Sequence, residues 1–123
     1  MKRIKKLKEY EDFVIKMLSP KSGKDFESRM TTACMGLCGE SGEFSDIFKK
    51  VLFHEMPFTE DSKTKAIKEL GDVAWYFALA CRTLGVSIEE VIDENMSKLR
   101  KRYEGNVFSV EKFLEKEAKK NEG

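Results

Sequence analysis

Two pairs of acidic residues have the spacing of a metal site. Glu40 and Glu43 form one pair, and Glu69 and Asp72 form the other. Residues three apart project from the same face of a helix, so two helices packed side by side can bring four carboxylates together. Unpaired carboxylates held close together repel, and a divalent cation relieves that repulsion. All-oxygen ligation favours Mg²⁺, with Mn²⁺ as a possible substitute, over zinc.

A second interpretation of these acids stays open at this point. A single Glu-x-x-Glu or Glu-x-x-Asp in a chain with 37% charged residues is typical of a solvated helix flank paired with lysine. Two such pairs beside two apolar stripes favour a shared site instead. A ferritin-like di-iron site is disfavoured, because it needs Glu-x-x-His motifs and His54 is the only histidine of the chain.

Helical periodicity surrounds both acid pairs, and period-two β patterns are absent. We predict an all-α, four-helix-bundle-like fold with a short additional C-terminal helix. Basic residues at the start of the first helix predict fraying there. Thr59 or Asp61 is expected to cap the third helix, and Gly85 to end it. The predicted helices cover residues 2–18, 25–54, 88–103 and 110–119, with the third helix running from one of these two caps to about residue 84.

Composition indicates one helical domain over residues 1–118, followed by a disordered tail over residues 119–123. The net charge of +1 argues against a nucleic-acid-binding protein. No apolar run is long enough to cross a membrane, and no signal peptide is recognisable. The three cysteines, Cys34, Cys38 and Cys81, show no disulfide framework, so we expect a cytoplasmic protein whose cysteines pack in the core.

Several other side chains suit a polyphosphate ligand. Lys50 follows the first acid pair by about two turns, and basic groups near a metal-carboxylate cluster suit phosphates. Asn95, Lys98 and Arg102 share one face of the fourth helix, although a solvated amphipathic face is the alternative. Tyr76 lies one turn past Asp72, where it either stacks on a base or packs in an interface.

The ordered set of motifs resembles a known family. The stretch from Gly36 to Glu43 (Gly-Leu-Cys-Gly-Glu-Ser-Gly-Glu) is followed by Lys49-Lys50, then Glu69-Leu70-Gly71-Asp72, then Asn95-x-x-Lys98 and Arg102-Tyr103. This order is similar to that of the MazG-type all-alpha nucleoside triphosphate pyrophosphohydrolases, which are related to dimeric dUTPases and dCTP pyrophosphatases. The resemblance covers roughly residues 30 to 103.

The resemblance implies a function and roles for the residues that match. It implies hydrolysis of a nucleoside triphosphate between the α- and β-phosphates, giving the monophosphate and pyrophosphate, in nucleotide-pool sanitation. A homodimer or homotetramer is implied, with base selection by the first helix and the loop after it, where Phe13 and Phe26 are candidates. The implied Mg²⁺ ligands are Glu40, Glu43, Glu69 and Asp72. Glu40 is the candidate for activating the water. The residues implied to bind the phosphates or the nucleotide are Asn95, Lys98, Arg102 and Tyr103.

One departure from the family pattern keeps a rival hypothesis open. Relatives often carry two consecutive glutamates at the start of the first motif, whereas Gly39 precedes Glu40 here. A chain that lost an acid in this way could be a non-catalytic helical oligomer that acts as a regulatory or partner-binding module. Mg²⁺-dependent release of pyrophosphate separates the two hypotheses.

Overall fold

The computed structural model describes residues 3–103 and 108–122. Within those ranges the regular structure is entirely helical, which confirms the all-α prediction and the additional C-terminal helix. No described helix is long and apolar enough to cross a membrane. The five helices are α1 (Leu7–Met17), α2 (Phe26–Phe53), α3 (Glu60–Thr83), α4 (Ile88–Arg102) and α5 (Val110–Glu122).

The first helix begins later than its apolar periodicity predicted. α1 starts at Leu7, so the predicted start at residue 2 is wrong. Lys6 occupies the N-cap position and provides no side-chain cap. Its positive charge and that of Lys5 oppose the macrodipole at the helix N-terminus, which disfavours any earlier helical turn.

Side-chain caps define the starts of α2 and α3. The Asp25 carboxylate accepts a hydrogen bond from the Ser28 backbone N–H at 2.8 Å, and this bond lowers the pKa of Asp25. Thr59 and Ser62 cap α3 reciprocally: the Ser62 N–H donates to Thr59 Oγ1 at 3.2 Å, and the Thr59 N–H donates to Ser62 Oγ at 3.3 Å. Of the two predicted caps, Thr59 is therefore the one that is used.

Gly85 ends α3 as predicted. Its φ of 77° lies in the left-handed region. The Gly85 N–H donates to the Arg82 carbonyl and the Val86 N–H donates to the Cys81 carbonyl, each at 3.0 Å. This pair of bonds is a Schellman motif, which satisfies carbonyls that the helix end would otherwise leave unpaired.

The last helix runs further than predicted. The Lys112 N–H donates to Ser109 Oγ at 3.3 Å at the start of α5. The helix continues to Glu122, three residues past its predicted end, through most of the segment that we expected to be a disordered tail. The predicted turn at Gly105-Asn106 lies outside the described residues.

The chain divides into two compact units, residues 1–88 and 89–123. In the first unit α3 packs against both α2 and α1. Val14, Ala33, Ala66 and Leu79 are among the buried residues of that core. In the second unit Tyr103 is 7% exposed and its ring lies 5.3 Å from that of Phe108.

Parts of the predicted apolar stripes do not lie in the core. Ile67 and Leu70 of α3 and Leu52 of α2 are exposed, although their periodicity predicted burial. The prediction that Cys34 and Cys38 pack in the core is also wrong, because both are exposed, while Cys81 is buried as expected. The apolar stripe of a helix in this single chain is larger than its neighbouring helices can cover, so part of each stripe stays exposed.

Candidate metal centre

Three of the four predicted acids converge at the packed faces of α2 and α3. Glu40 comes from α2, and Glu69 and Asp72 come from α3. One carboxylate oxygen from each lies within 4.8 Å of the others. Glu40 and Glu69 are half-buried and Asp72 is exposed, so the cluster is partly shielded and still open to a ligand. We call these three residues the acidic triad.

Glu43 is exposed and is not part of the acidic triad. Its charge nevertheless helps to raise the pKa of Glu40. Both acids lie on α2 three residues apart, so Glu43 occupies the edge of the same cluster. The structure therefore brings together both acids of the second predicted pair and one acid of the first.

The pKa of Glu40 is raised above its ordinary value. The largest cause is a hydrogen bond that its carboxyl group shares with the Glu69 carboxyl. Burial adds to the effect, followed by the negative charges of Asp72, Glu69 and Glu43. The shared hydrogen bond and burial thus favour a protonated Glu40, and the neighbouring negative charges favour binding of either a proton or a cation.

The donor set of the acidic triad fits a hard divalent cation. All three donors are carboxylate oxygens, the ligand type that Mg²⁺ prefers. The three oxygens lie within 4.8 Å of one another, so side-chain movements alone could bring them onto one cation. No acid of the triad forms an ion pair with another described residue.

Lys50, a predicted phosphate-binding residue, pairs with an acid that the sequence analysis did not consider. Its Nζ lies 2.9 Å from Asp46 Oδ2, and Lys49 Nζ lies 3.1 Å from Asp46 Oδ1. Hydrogen bonds from Lys50 and then Lys49 lower the pKa of Asp46. The i, i+3 and i, i+4 spacing of these residues was the available signal. The charge of Lys50 is therefore already partly neutralised by Asp46 in the absence of a phosphate.

Tyr76 packs tightly between α2 and α3. A Cβ atom added at Gly36 would lie 2.2 Å from the Tyr76 ring, so this glycine is needed for the contact. The ring also meets Trp75 edge-on, with centroids 5.1 Å apart. Interface packing, the second of the two predicted roles, describes this arrangement, and a contact with a base stays a prediction. Gly39 and Gly42 face open space and make no such contact.

Tyr10 is a residue near the cluster that the sequence analysis missed. Its hydroxyl donates a hydrogen bond to the Gly71 carbonyl at 3.4 Å, next to Asp72. Burial raises the pKa of Tyr10, and the charge of Asp72 raises it further. No local sequence pattern identifies this role of Tyr10, since a contact between α1 and α3 depends on how the two helices pack.

The two predicted base-selecting aromatics are both exposed. Phe13 stacks on Tyr10 with centroids 6.4 Å apart, and both rings line a cavity of about 330 Å³ in the first unit. Phe26 is the first residue of α2 and is 61% exposed. Their roles in base selection stay predictions.

The predicted phosphate-binding residues of α4 belong to the second unit. Asn95 and Lys98 are exposed, and Arg102 is half-buried. Arg102 Nη1 donates to the Tyr103 hydroxyl at 3.2 Å, and its guanidinium carbon lies 5.5 Å from the centre of the Tyr103 ring. Tyr103 is therefore held by packing and by Arg102, and the ligand roles of all four residues stay predictions.

Comparison with known proteins adds an independent finding. The family described as the MazG nucleotide pyrophosphohydrolase domain matches residues 29–108, which include the whole acidic triad. The "Gene 37 protein" of Mycobacterium phage L5 is 36% identical over 75 residues, covering 60% of this chain and 66% of the phage protein. No solved structure matches significantly. The extent of the family match shows that the chain belongs to the MazG nucleotide pyrophosphohydrolase family.

Proposed function

We propose that this protein is a Mg²⁺-dependent pyrophosphohydrolase of nucleoside triphosphates, including deoxynucleoside triphosphates. The observation that carries the proposal is the convergence of Glu40, Glu69 and Asp72 from two helices in a chain of the MazG family. The reaction breaks the bond between the α-phosphorus and the oxygen that bridges to the β-phosphorus. Water supplies the new oxygen, and the products are a nucleoside monophosphate and pyrophosphate.

The residues of the cluster divide between holding the cation and handling the water. Glu69 and Asp72 hold Mg²⁺ together with Glu40, and Glu43 supports them from the edge. When bound, Mg²⁺ neutralises the triphosphate and lowers the pKa of bound water. Glu40 orients or deprotonates the attacking water, because its carboxylate lies in the triad beside the two other carboxylates that would hold the cation.

The roles proposed for the remaining predicted ligand residues rest on the family resemblance. Asn95, Lys98, Arg102 and Tyr103 are assigned to the phosphates or the nucleotide, with Lys50 and Tyr76 as further candidates. Lys50 is the weaker phosphate candidate, since its ammonium group is already paired with Asp46.

We also propose that the active form is a homodimer or homotetramer, with a cytoplasmic role in sanitising the nucleotide pool. Large apolar side chains at the end of α2 are strongly exposed in the single chain: Phe53 is 76% exposed and Leu52 is 72% exposed. Exposed apolar surface of this kind is typical of an interface with another chain. Light scattering coupled to size-exclusion chromatography measures the assembly.

The decisive experiment is a substrate panel. Purified protein is incubated with each of the common ribo- and deoxyribonucleoside triphosphates, with Mg²⁺ and with a chelator, and pyrophosphate is quantified. We expect Mg²⁺-dependent pyrophosphate and monophosphate from at least one nucleotide. Release of orthophosphate instead would contradict α–β cleavage. A folded protein that releases nothing would favour the rival hypothesis of a non-catalytic helical oligomer.

A further inference from the structure

A basic groove lies between α4 and α5 in the second unit. Its volume is about 760 Å³, within the range of about 300–1,000 Å³ that small-molecule sites occupy. The helix α5 begins at Val110, after the end of the family match at residue 108, so half of the groove lies outside the MazG domain. The basic residues that line it are Lys98, Lys101 and Arg102 from α4 and Lys112, Lys116 and Lys119 from α5.

Charge is sorted between the two sides of these helices. α4 and α5 each contain four basic and four acidic residues, so neither helix has a net charge. Six of those eight basic residues line the groove, whereas Glu94 and Glu115 are the acidic residues in its lining. An excess of positive charge collected in a concave surface attracts anions.

Helix dipoles account for only part of this arrangement. Lys101, Arg102 and Lys119 lie in the last turns of their helices, where cations stabilise the negative helix end. Lys112 lies in the first turn of α5, where the same effect opposes a cation. Lys98 and Lys116 lie away from both ends. The dipole therefore accounts for three of the six basic residues in the groove and does not explain the positions of Lys98, Lys112 and Lys116.

The groove cations have few counter-charges in the protein. Lys112 Nζ lies 3.6 Å from Glu115 Oε2, and Arg102 contacts Tyr103. Lys98, Lys101 and Lys116 make no ion pair with any residue in the described part of the chain. Like charges three or four residues apart on a helix repel each other. A multivalent anion bound across the groove would remove that repulsion on both helices at once.

We propose that the α4–α5 groove binds a small anion carrying two or more phosphate groups. Pyrophosphate and the polyphosphate part of a nucleotide share this chemistry. Several separate cations along one groove match a chain of phosphates better than a single one, because each phosphate brings its own charge. The inference rests on the proposed function only through Lys98 and Arg102, because the two proposals both assign these residues to phosphate binding. The lysines of α5 belong to this inference alone.

The test is calorimetric titration of protein freed of metal on a chelating resin. Orthophosphate, pyrophosphate and tripolyphosphate are each titrated into wild type, Lys116→Gln and Lys120→Gln. Lys120 is the matched control, because it lies on α5, carries the same charge and is absent from the groove lining. We expect affinity to rise from orthophosphate to tripolyphosphate. Lys116→Gln should weaken tripolyphosphate binding roughly fivefold, while Lys120→Gln leaves it unchanged.

Further variants separate a bound phosphate from a general effect of charge or folding. Lys112→Gln/Lys116→Gln should weaken binding by about tenfold or more, and Lys116→Arg should restore it. Circular dichroism verifies that the helix content of each variant is unchanged. Equal losses in Lys116→Gln and Lys120→Gln, or no tripolyphosphate binding by wild type at millimolar concentration, would overturn the proposal.

Two further comparisons identify the kind of molecule that carries the phosphates and test this proposal separately from the proposed function. A nucleoside triphosphate that binds more tightly than tripolyphosphate indicates a nucleotide, whereas equal affinities indicate free polyphosphate. Binding of an oligonucleotide without any binding of tripolyphosphate would refute the proposal. Tripolyphosphate binding without hydrolysis of any nucleotide would refute the proposed function alone, and hydrolysis without metal-free binding would refute the groove alone.

Discussion

Two acidic clusters of the first unit differ in the source of the positive charge that would neutralise them. Glu11 and Asp12 of α1 meet Arg82 of α3, which hydrogen-bonds Asp12 and lies 4.0 Å from Glu11 Oε1. Glu40, Glu69 and Asp72 meet no basic side chain among the described residues. The first cluster carries its own cation, whereas the second has none.

The difference indicates which cluster is structural. Glu11 is only 1% exposed, and its Oε1 accepts no hydrogen bond from the described residues but lies 4.0 Å from Nη1 of Arg82. A carboxylate enclosed in this way is out of reach of a cation from solution and has an arginine of the same chain as its positive neighbour. The acidic triad is partly exposed and its charges are uncompensated, so it is stabilised by a cation from solution. Four predictions test this contrast.

The largest expected effect is on turnover. Asp72→Asn should lower the rate of pyrophosphate release roughly 100- to 1,000-fold, because an uncharged ligand weakens the electrostatic stabilisation of the reaction. The thermal midpoint of the metal-free variant should not fall, since one of several repelling charges is gone. Asp61→Asn is the control, because Asp61 lies on the same helix and pairs with Lys65. Full turnover by Asp72→Asn would contradict our assignment of the metal ligands.

Removing the internal cation should instead affect stability. Arg82→Met leaves the buried carboxylate of Glu11 without a positive neighbour, and we expect a loss of about 3 kcal/mol in the free energy of unfolding. Urea denaturation measures it. The double variant Glu11→Gln/Arg82→Met should recover part of the loss, because no buried charge is then left unpaired. An unchanged urea midpoint in Arg82→Met would show that Arg82 does not stabilise this cluster.

Mg²⁺ should distinguish the two clusters directly. A ligand at one hundred times its dissociation constant stabilises the folded state by about 2.7 kcal/mol. We expect Mg²⁺ to raise the thermal midpoint of wild type and of Asp12→Asn, and to have no effect on Asp72→Asn. Differential scanning calorimetry with and without Mg²⁺ makes the comparison. Equal stabilisation of all three proteins would place the metal elsewhere.

The smallest effect concerns acid stability. A hydrogen bond from Lys8, and then the contact with Arg82, lowers the pKa of Asp12 below its ordinary value of 3.8. This ionised carboxylate therefore stabilises the fold above pH 3.8, and the stabilisation is lost as the pH falls through the lowered pKa. Asp12→Asn should flatten the decline of the urea midpoint in that acidic range. Asp61→Asn serves as the reference variant, and an equal flattening there would refute the role of Asp12.

Local sequence patterns predicted much of the fold and part of the site. Periodicity located α2 and α3, and cap residues located the two ends of α3 at Thr59 and Gly85. The i, i+3 spacing of the acids anticipated the convergence of Glu40 with Glu69 and Asp72. Such features depend on residues within one or two helical turns, which is why the sequence carries them.

Contacts between distant segments could not be predicted in the same way. Helical periodicity alone does not decide whether Tyr10 or Glu11 of α1 faces the core, and the structure buries Glu11 beside Arg82 of α3. The hydrogen bond from Tyr10 to Gly71 also depends on how α1 packs on α3. Cys34 and Cys38 fit an apolar stripe and are nevertheless exposed, since periodicity does not reveal which part of a stripe finds a partner.

The contact between Gly36 and Tyr76 has a consequence for the acids one turn away. Gly36 precedes Glu40 by four residues and Tyr76 follows Asp72 by four, so the two helices run antiparallel with the aromatic ring seated beside the site. A glycine that accepts a bulky ring allows only one axial alignment of the helices. A slip by one turn would move the facing carboxylates by about 5.4 Å, more than the spacing of the whole triad. A residue without a side chain thus sets the distance across which the carboxylates can share one ion.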